Sequence, residues 1–215
     1  MKKAYIVIGP PGSGKGTQID KLMAKRKVNV IQPGVFLREE ALKDSSVGKK
    51  VKRLISKGNI VPGDLVDRMV MNRLSKIEGD VIFDGYPRTL KQAGKLHQYL
   101  KRKKVQIFIV ELYLSDKHII DRINGRRSCH CGETYHVQFN PTKKIGICDK
   151  CGKKLYIRSD SKLSVIRKRI RIYYEQTVPV LQYFKQHNEK NIKFIFIDGD
   201  QSIKAVYKII SKKIK

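Results

Sequence analysis

Short apolar runs alternate along the chain with longer stretches in which apolar residues recur every three or four positions. The first run, AYIVI (residues 4–8), is apolar on both faces and predicts a buried central strand of a parallel sheet. A glycine-rich turn, GPPGSGKGTQ, follows, and a helix is expected over residues 15–25. Residues 34–56 form a polar, helical stretch that exits through KGNIVPGDLV. Asp64 is placed to cap the next helix, DLVDRMVMNRLSK, in which Leu65, Met69, Val70 and Leu74 follow helical spacing. DVIFDGYPRT predicts a second buried strand and turn, residues 90–101 a helix, and VQIFIVELYL a third strand. Ser115 is placed to cap the helix SDKHIIDRINGRR.

From residue 129 to about 158 the periodicity gives way to Gly, Cys, Asn and Pro, the pattern of a small inserted module. A long helix resumes near Ser161, with Leu163, Ile166, Ile170, Tyr174, Val178 and Leu181 as its expected core stripe. KFIFID is the last strand, and a helix over residues 202–214 closes the chain. Strands alternating with helices predict an α/β fold with a doubly wound parallel sheet flanked by helices.

Charge changes this picture little. The formal net charge is +28, from 47 Lys and Arg against 19 Asp and Glu. The basic residues spread over the whole chain, as in LKRKKVQ, which reads as solvated faces rather than a nucleic-acid patch. Such a field still attracts polyanionic ligands, nucleotides among them. No apolar run reaches membrane-spanning length. The first apolar run is too short for a signal peptide and ends in a glycine loop, so the expected location is cytoplasmic. All four cysteines fall between Cys129 and Cys151, a clustering that in an intracellular protein points to metal.

Two stretches carry the chemistry. GPPGSGKGT (residues 9–17) fits the phosphate-loop pattern with Gly9 and Gly14, apart from Gly16 standing between Lys15 and Thr17. Gly9, Gly12 and Gly14 let backbone N–H groups turn inward around phosphate oxygens, and the following helix adds its positive end. Lys15 can reach the β- and γ-phosphates, and Thr17 can serve on the Mg²⁺ side. In FDGYPRT, Asp84 ends a strand on the side where parallel sheets bind ligands and can hold a Mg²⁺-bound water. Gly85 permits close approach of a ligand, Pro87 stiffens the turn, and Arg88 suits bidentate phosphate binding.

With GPPGSGKGTQ, DGYPRTLKQA, DRINGRR, YHVQFNP and IRKRI, the whole chain resembles the adenylate kinases, in the bacterial long form with a large lid. That resemblance implies a P-loop nucleoside monophosphate kinase fold. It implies a core of residues 1–31, 62–124 and 162–215, an AMP-binding segment of residues 32–61 and a zinc-bearing lid of residues 125–161. The implied reaction is Mg²⁺-dependent transfer of the ATP γ-phosphoryl group to AMP, giving two ADP, by a monomer. By similarity, Gly12, Ser13, Gly14, Lys15, Gly16, Thr17, Arg122, Arg126, Tyr135 and Gln201 bind ATP. Gly34, Arg38, Asn59, Ile60, Val61, Gly85, Arg88 and Gln92 bind AMP. Lys15, Arg88, Arg126, Arg158 and Arg169 carry the catalytic charge, with Thr17 and Asp84 on the Mg²⁺ side.

One departure bears on selectivity. The family has a Thr-Gly-Asp-type sequence where this chain has QPGVFLR, so Pro33 replaces a hydroxyl and Val35 an acid, while Gly34 and Arg38 remain. Pro33 offers the nucleoside no side-chain hydrogen bond, which leaves CMP or UMP as alternative acceptors. Gln92 favours adenine, because an amide offers one donor and one acceptor. Readings of another class are a zinc-ribbon nucleic-acid-binding P-loop protein and a non-catalytic nucleotide binder. Against them stand the fit of YHVQFNP to the lid and the presence of every catalytic cation. Cys129, Cys131, Cys148 and Cys151 are expected to make a closed tetrahedral Zn²⁺ site that staples the lid. The C-x-C spacing of the first pair demands a tightened turn, and an alternative shell exchanges Cys129 or Cys131 for His130. His97, His118 and His187 are read as surface or packing residues, His136 as structural, and the tyrosines of RIYYEQ as helix packing.

Overall fold

The computed structural model describes residues 2–187 and 189–214. In chain order the elements are β1 (Lys3–Ile8), α1 (Lys15–Met23), β2 (Asn29–Ile31), α2 (Pro33–Glu40), α3 (Ser46–Ser56), α4 (Gly63–Leu74), β3 (Val81–Asp84), α5 (Leu90–Arg102), β4 (Gln106–Tyr113) and α6 (Asp116–Asn124). There follow β5 (Arg126–Ser128), β6 (Thr134–His136), a 3₁₀ turn (Ser159–Ser161), α7 (Leu163–Ile172), a π-helical turn (Tyr173–Thr177), α8 (Val178–His187), β7 (Ile192–Asp198) and α9 (Ile203–Lys213). β2, β3, β1, β4 and β7 form, in that order, an all-parallel sheet. Helices cover both faces, and the central strands are buried accordingly. β5 and β6 pair antiparallel in the inserted module.

The differences from expectation have local causes. β2 escapes periodicity because it is three residues long and follows a lysine-rich turn. The 34–56 stretch is two helices, broken where Ser45 caps α3 by accepting from the Gly48 N–H at 2.9 Å. Asp64 is not the cap of α4, which begins one residue earlier; it sits in the first turn and pairs with Lys91 (3.2 Å) and Lys95 (3.5 Å). Ser115 occupies the N-cap of α6, yet its hydroxyl turns to His118 and Asp200 rather than to the helix. Of the expected stripe, Ile166 and Leu181 are buried, but Leu163 and Tyr174 are about half exposed.

Leu163 is exposed as the first residue of α7, and a proline accounts for Tyr174. Pro179 has no N–H to give to the carbonyl four residues back, so the helix widens just before it. The Val178 N–H reaches back five residues to the Tyr173 carbonyl. The extra residue in this turn rotates Tyr174 outward, where its hydroxyl donates to Asp116 at 2.7 Å. It also turns Thr177 inward.

Candidate active site

The carboxyl ends of β1 and β3, with the loops that follow β2 and β7, open on one cleft of about 1760 Å³. One drug-sized ligand occupies about 300–1,000 Å³, so the cleft has room for two nucleotides. Every residue assigned above to ATP or AMP lines it. Gly14, the N-cap of α1, has φ 88°, a left-handed conformation that a side chain would strain. Lys15 curls over the loop, its Nζ donating to the carbonyls of Gly9 (2.7 Å) and Pro10 (2.8 Å) and to Ser13 Oγ (3.1 Å). Burial pulls its pKa down to about 8, with Asp84 opposing. Asp84 faces the first turn of α1, since a Cβ on Gly16 would lie 3.9 Å from its Oδ2. That places a carboxylate beside the Thr17 helix turn, a donor set suited to Mg²⁺ and its waters.

The second corner is built on the turn after β3. Tyr86 anchors this turn by donating to the buried Asp67 (3.1 Å), which also takes Lys95 (2.6 Å). Arg88 is held from three sides: its Nε donates to Gly85 O (2.9 Å), its N–H to Gln92 Oε1 (2.9 Å), and its carbonyl accepts from Thr177 Oγ1 (3.3 Å). Gln92 therefore has its carbonyl engaged and its Nε2 left as the donor. Gln32, at the N-cap of α2, donates to Asp84 Oδ2 at 3.2 Å and so ties the start of α2 to the carboxylate at the end of β3.

Between the two corners lies an arginine cluster gathered on one carboxylate. Asp160 takes Arg158 (2.8 Å) and Arg169 (2.9 Å) on Oδ2 and Arg126 (3.3 Å) on Oδ1. Burial tends to raise the Asp160 pKa, but Arg169, Arg158 and Arg126 outweigh it and hold it below the usual carboxylate range. Burial, followed by repulsion from Arg158, brings Arg126 down to about 9 and Arg38 to about 10. Both Arg126 and Arg38 remain charged at neutral pH. Arg126 Nε is buried without a partner. Polyanionic phosphate is what such a surplus of desolvated cations accommodates.

At the far end of the cleft, Arg122 lies 5.6 Å from the Phe139 ring and donates to the Gln201 carbonyl at 3.4 Å. His118 pairs with Asp200 on the rim. His136 is structural: its Nδ1 accepts from the N–H groups of Gln138 (3.0 Å) and Phe139 (3.1 Å), and its ring fills the space a Gly125 side chain would need. His97 packs on Tyr183, with 3.1 Å between its Nδ1 and the hydroxyl. The sequence reading missed Asp160, Gln32, Thr177, Phe139 and Asp20. Asp20 lines the cleft, and its pKa is raised to about 6 by burial and then by Asp84.

The four cysteine sulfurs lie within 4.8 Å of one another. Zn–S bonds of about 2.3 Å in a tetrahedron put sulfurs about 3.8 Å apart, close to the 3.4 Å (Cys129–Cys151) and 3.6 Å (Cys131–Cys148) found here. The short C-x-C spacing works because the Gly132 N–H returns to the Cys129 carbonyl at 3.1 Å, with Gly132 at φ 99°. His130 stacks on Tyr156, centroids 4.5 Å apart, and is not one of the clustered ligands. Tyr135 turns its hydroxyl to Cys148 Sγ (3.5 Å), away from the nucleotide position assigned to it by resemblance. The module has little apolar core beyond Cys129, Tyr135, Cys148 and Leu155, and Ile145 is 97% exposed. No helix among the described residues is long and apolar enough to cross a membrane.

Comparison with known proteins agrees with this geometry. The family model described as adenylate kinase matches residues 7–189. The chain is 37% identical over 211 residues to an adenylate kinase of Lachnospira eligens, covering 96% of this chain and 97% of that one. It is 37% identical over 210 residues to one of Methanothrix thermoacetophila, covering 96% of each. It is 38% identical over 218 residues to one of Archaeoglobus fulgidus, covering 98% of each. With a phosphate-loop motif at the start of its cleft, a matching family model over most of its length and relatives 37% identical along it, the chain belongs to the adenylate kinase family.

Proposed function

We propose that the cleft performs this family's phosphotransfer, from ATP to AMP and back, through a division of labour among named cations. The observation that carries it is the convergence of Lys15, Arg38, Arg88, Arg126, Arg158 and Arg169 on one cleft between two phosphate-binding corners. The loop of residues 12–17 holds the ATP phosphates, and Lys15 leaves its loop carbonyls for the β- and γ-oxygens. Arg38 and Arg88 hold the AMP phosphate, with Gly34, Gly85 and the 59–61 backbone shaping its nucleoside site. Gln92 Nε2 donates to the N1 acceptor of adenine, which favours AMP over UMP, whose ring N3 carries a proton, despite Pro33 and Val35. Cytosine N3 is also an acceptor, so selection against CMP rests on the rest of the nucleoside site. Arg122 and Gln201 border the ATP base.

Phosphoryl transfer asks little covalent help of the protein: it needs in-line positioning and positive charge around the equatorial oxygens. Arg126, Arg158 and Arg169 supply that charge once phosphate replaces Asp160 as their partner. No general base is required, because the AMP phosphate is already a nucleophile. Thr17 and Asp84 are the residues that would hold Mg²⁺, which would supply neutralisation of phosphate charge when bound. Closure of the 125–161 lid over ATP excludes water and suppresses hydrolysis. Zn²⁺ on the four cysteines is structural, because a complete thiolate shell leaves no open position for substrate. The protein works as a cytoplasmic monomer, with the 1–31, 62–124 and 162–215 core carrying the 32–61 segment and the lid. Rates with AMP, CMP, UMP and GMP test the acceptor; AMP should lead. Arg88→Ala should raise the AMP KM and depress turnover, and unchanged kinetics would refute its role.

A further inference from the structure

β6 is only three residues long, so strand alternation assigns each side chain to one of two faces. Tyr135 turns into the cysteine knuckle, packed with Cys129, Cys148 and Leu155. His136 turns to the opposite face, against Gly125 at the end of α6, and stacks on Phe139 with ring centroids 4.5 Å apart. The strand is therefore a shared wall, with the cysteines behind it and the nucleotide cleft in front.

The phenol oxygen of Tyr135 has two neighbours. The Asp149 backbone N–H lies 3.0 Å away and can only donate, so the hydroxyl accepts there and keeps its proton free. A metal-bound thiolate has no proton to give, so in the metal shell the phenol is the donor to the Cys148 sulfur at 3.5 Å. Asp149 is the residue after Cys148, so the turn that presents the sulfur also orients its donor. Among the described residues Cys148 is the one of the four cysteines whose sulfur receives a side-chain O–H.

We propose that Tyr135 is a positioning residue of the metal site, its hydroxyl donating to the Cys148 thiolate while its strand links the knuckle to the nucleotide side of the lid. The inference rests on the reading of the four cysteines as a metal shell. Donation to a ligand sulfur lowers its charge, slows its protonation and displacement, and fixes its orientation. Tyr135→Phe keeps the ring packing and removes only that proton.

The test uses the full-length zinc-loaded protein and the Tyr135→Phe variant, with fold checked by circular dichroism. Zinc content by mass spectrometry and zinc release to the chelating dye 4-(2-pyridylazo)resorcinol are measured for both. Release should be about tenfold faster in the variant. After Co²⁺ substitution, its sulfur-to-cobalt charge-transfer band should move to longer wavelength, because an undonated thiolate gives up electrons more readily. Equal release rates and an unmoved band would overturn the role of Tyr135. Wild-type protein that takes up neither Zn²⁺ nor Co²⁺ would overturn the metal reading itself. Should the variant not fold, ¹¹³Cd-substituted wild type decides: scalar coupling between cadmium and the Tyr135 hydroxyl proton supports the bond, and its absence refutes it.

Discussion

The Asp160 carboxylate meets the Arg169 guanidinium at 2.9 Å, joining the end of the inserted module to α7. The same carboxylate holds Arg158 and Arg126, so one acid organises three cations before any phosphate arrives. Removing it leaves buried like charges facing one another. Asp160→Asn should lower the melting temperature of the nucleotide-free protein, and ATP with AMP should restore most of the loss. Turnover should fall about tenfold or more, since the arginines lose their preset geometry. Melting curves with and without nucleotides, and steady-state kinetics, check both. Because the Asp160 pKa is depressed, its stabilisation is present above the ordinary carboxylate range and disappears as pH falls through the folded value. The Asn variant should lack that part of the acid dependence.

Lys15 gives a pH signature at the other end of the scale. Burial brings it down to about 8 in the free protein. ATP must meet it charged, so kcat/KM for ATP should decline about tenfold per unit as pH rises beyond that value. Bound phosphates hold the proton on Lys15, so kcat at saturating ATP should stay level to higher pH. A kcat/KM profile level through that region would contradict the assignment.

Thr177 reaches the site through a backbone irregularity. Its hydroxyl donates to the Arg88 carbonyl at 3.3 Å only because the π-helical turn rotates it inward. Thr177→Val keeps the shape and removes a hydrogen bond of about 1 kcal/mol, about fivefold in an equilibrium constant. The expected result is an AMP KM raised several-fold with the ATP KM unchanged. Equal changes in both would indicate a general loosening instead.

The parts legible in the sequence are those whose chemistry is local. The 9–17 loop and the Asp84–Arg88 turn announce themselves because glycine, lysine, acid and arginine stand at fixed offsets from a buried strand. The paired cysteines do the same. Asp160 carries no such signal: it is a single acid in a polar stretch, and its meaning comes from Arg126, 34 residues away, and Arg169, 9 residues on, which only the fold brings to one carboxylate. Tyr135 was legible as a lid residue, but not the direction of its hydroxyl, which depends on the face a three-residue strand presents. Tyr174 lies off the expected stripe because a 3.6-residue period cannot include a widened turn, although Pro179 marks where one is needed; Leu163 is exposed as the first residue of α7, ahead of that turn. His130 could not be removed from the metal shell by spacing alone; its stacking on Tyr156 removes it.

Direct transfer between two bound nucleotides is visible by ³¹P NMR of the purified protein with ATP, AMP and Mg²⁺. ATP and AMP should disappear together, two ADP should form for each pair, and almost no inorganic phosphate should be released. Formation of ADP with matching inorganic phosphate while AMP is untouched would contradict it.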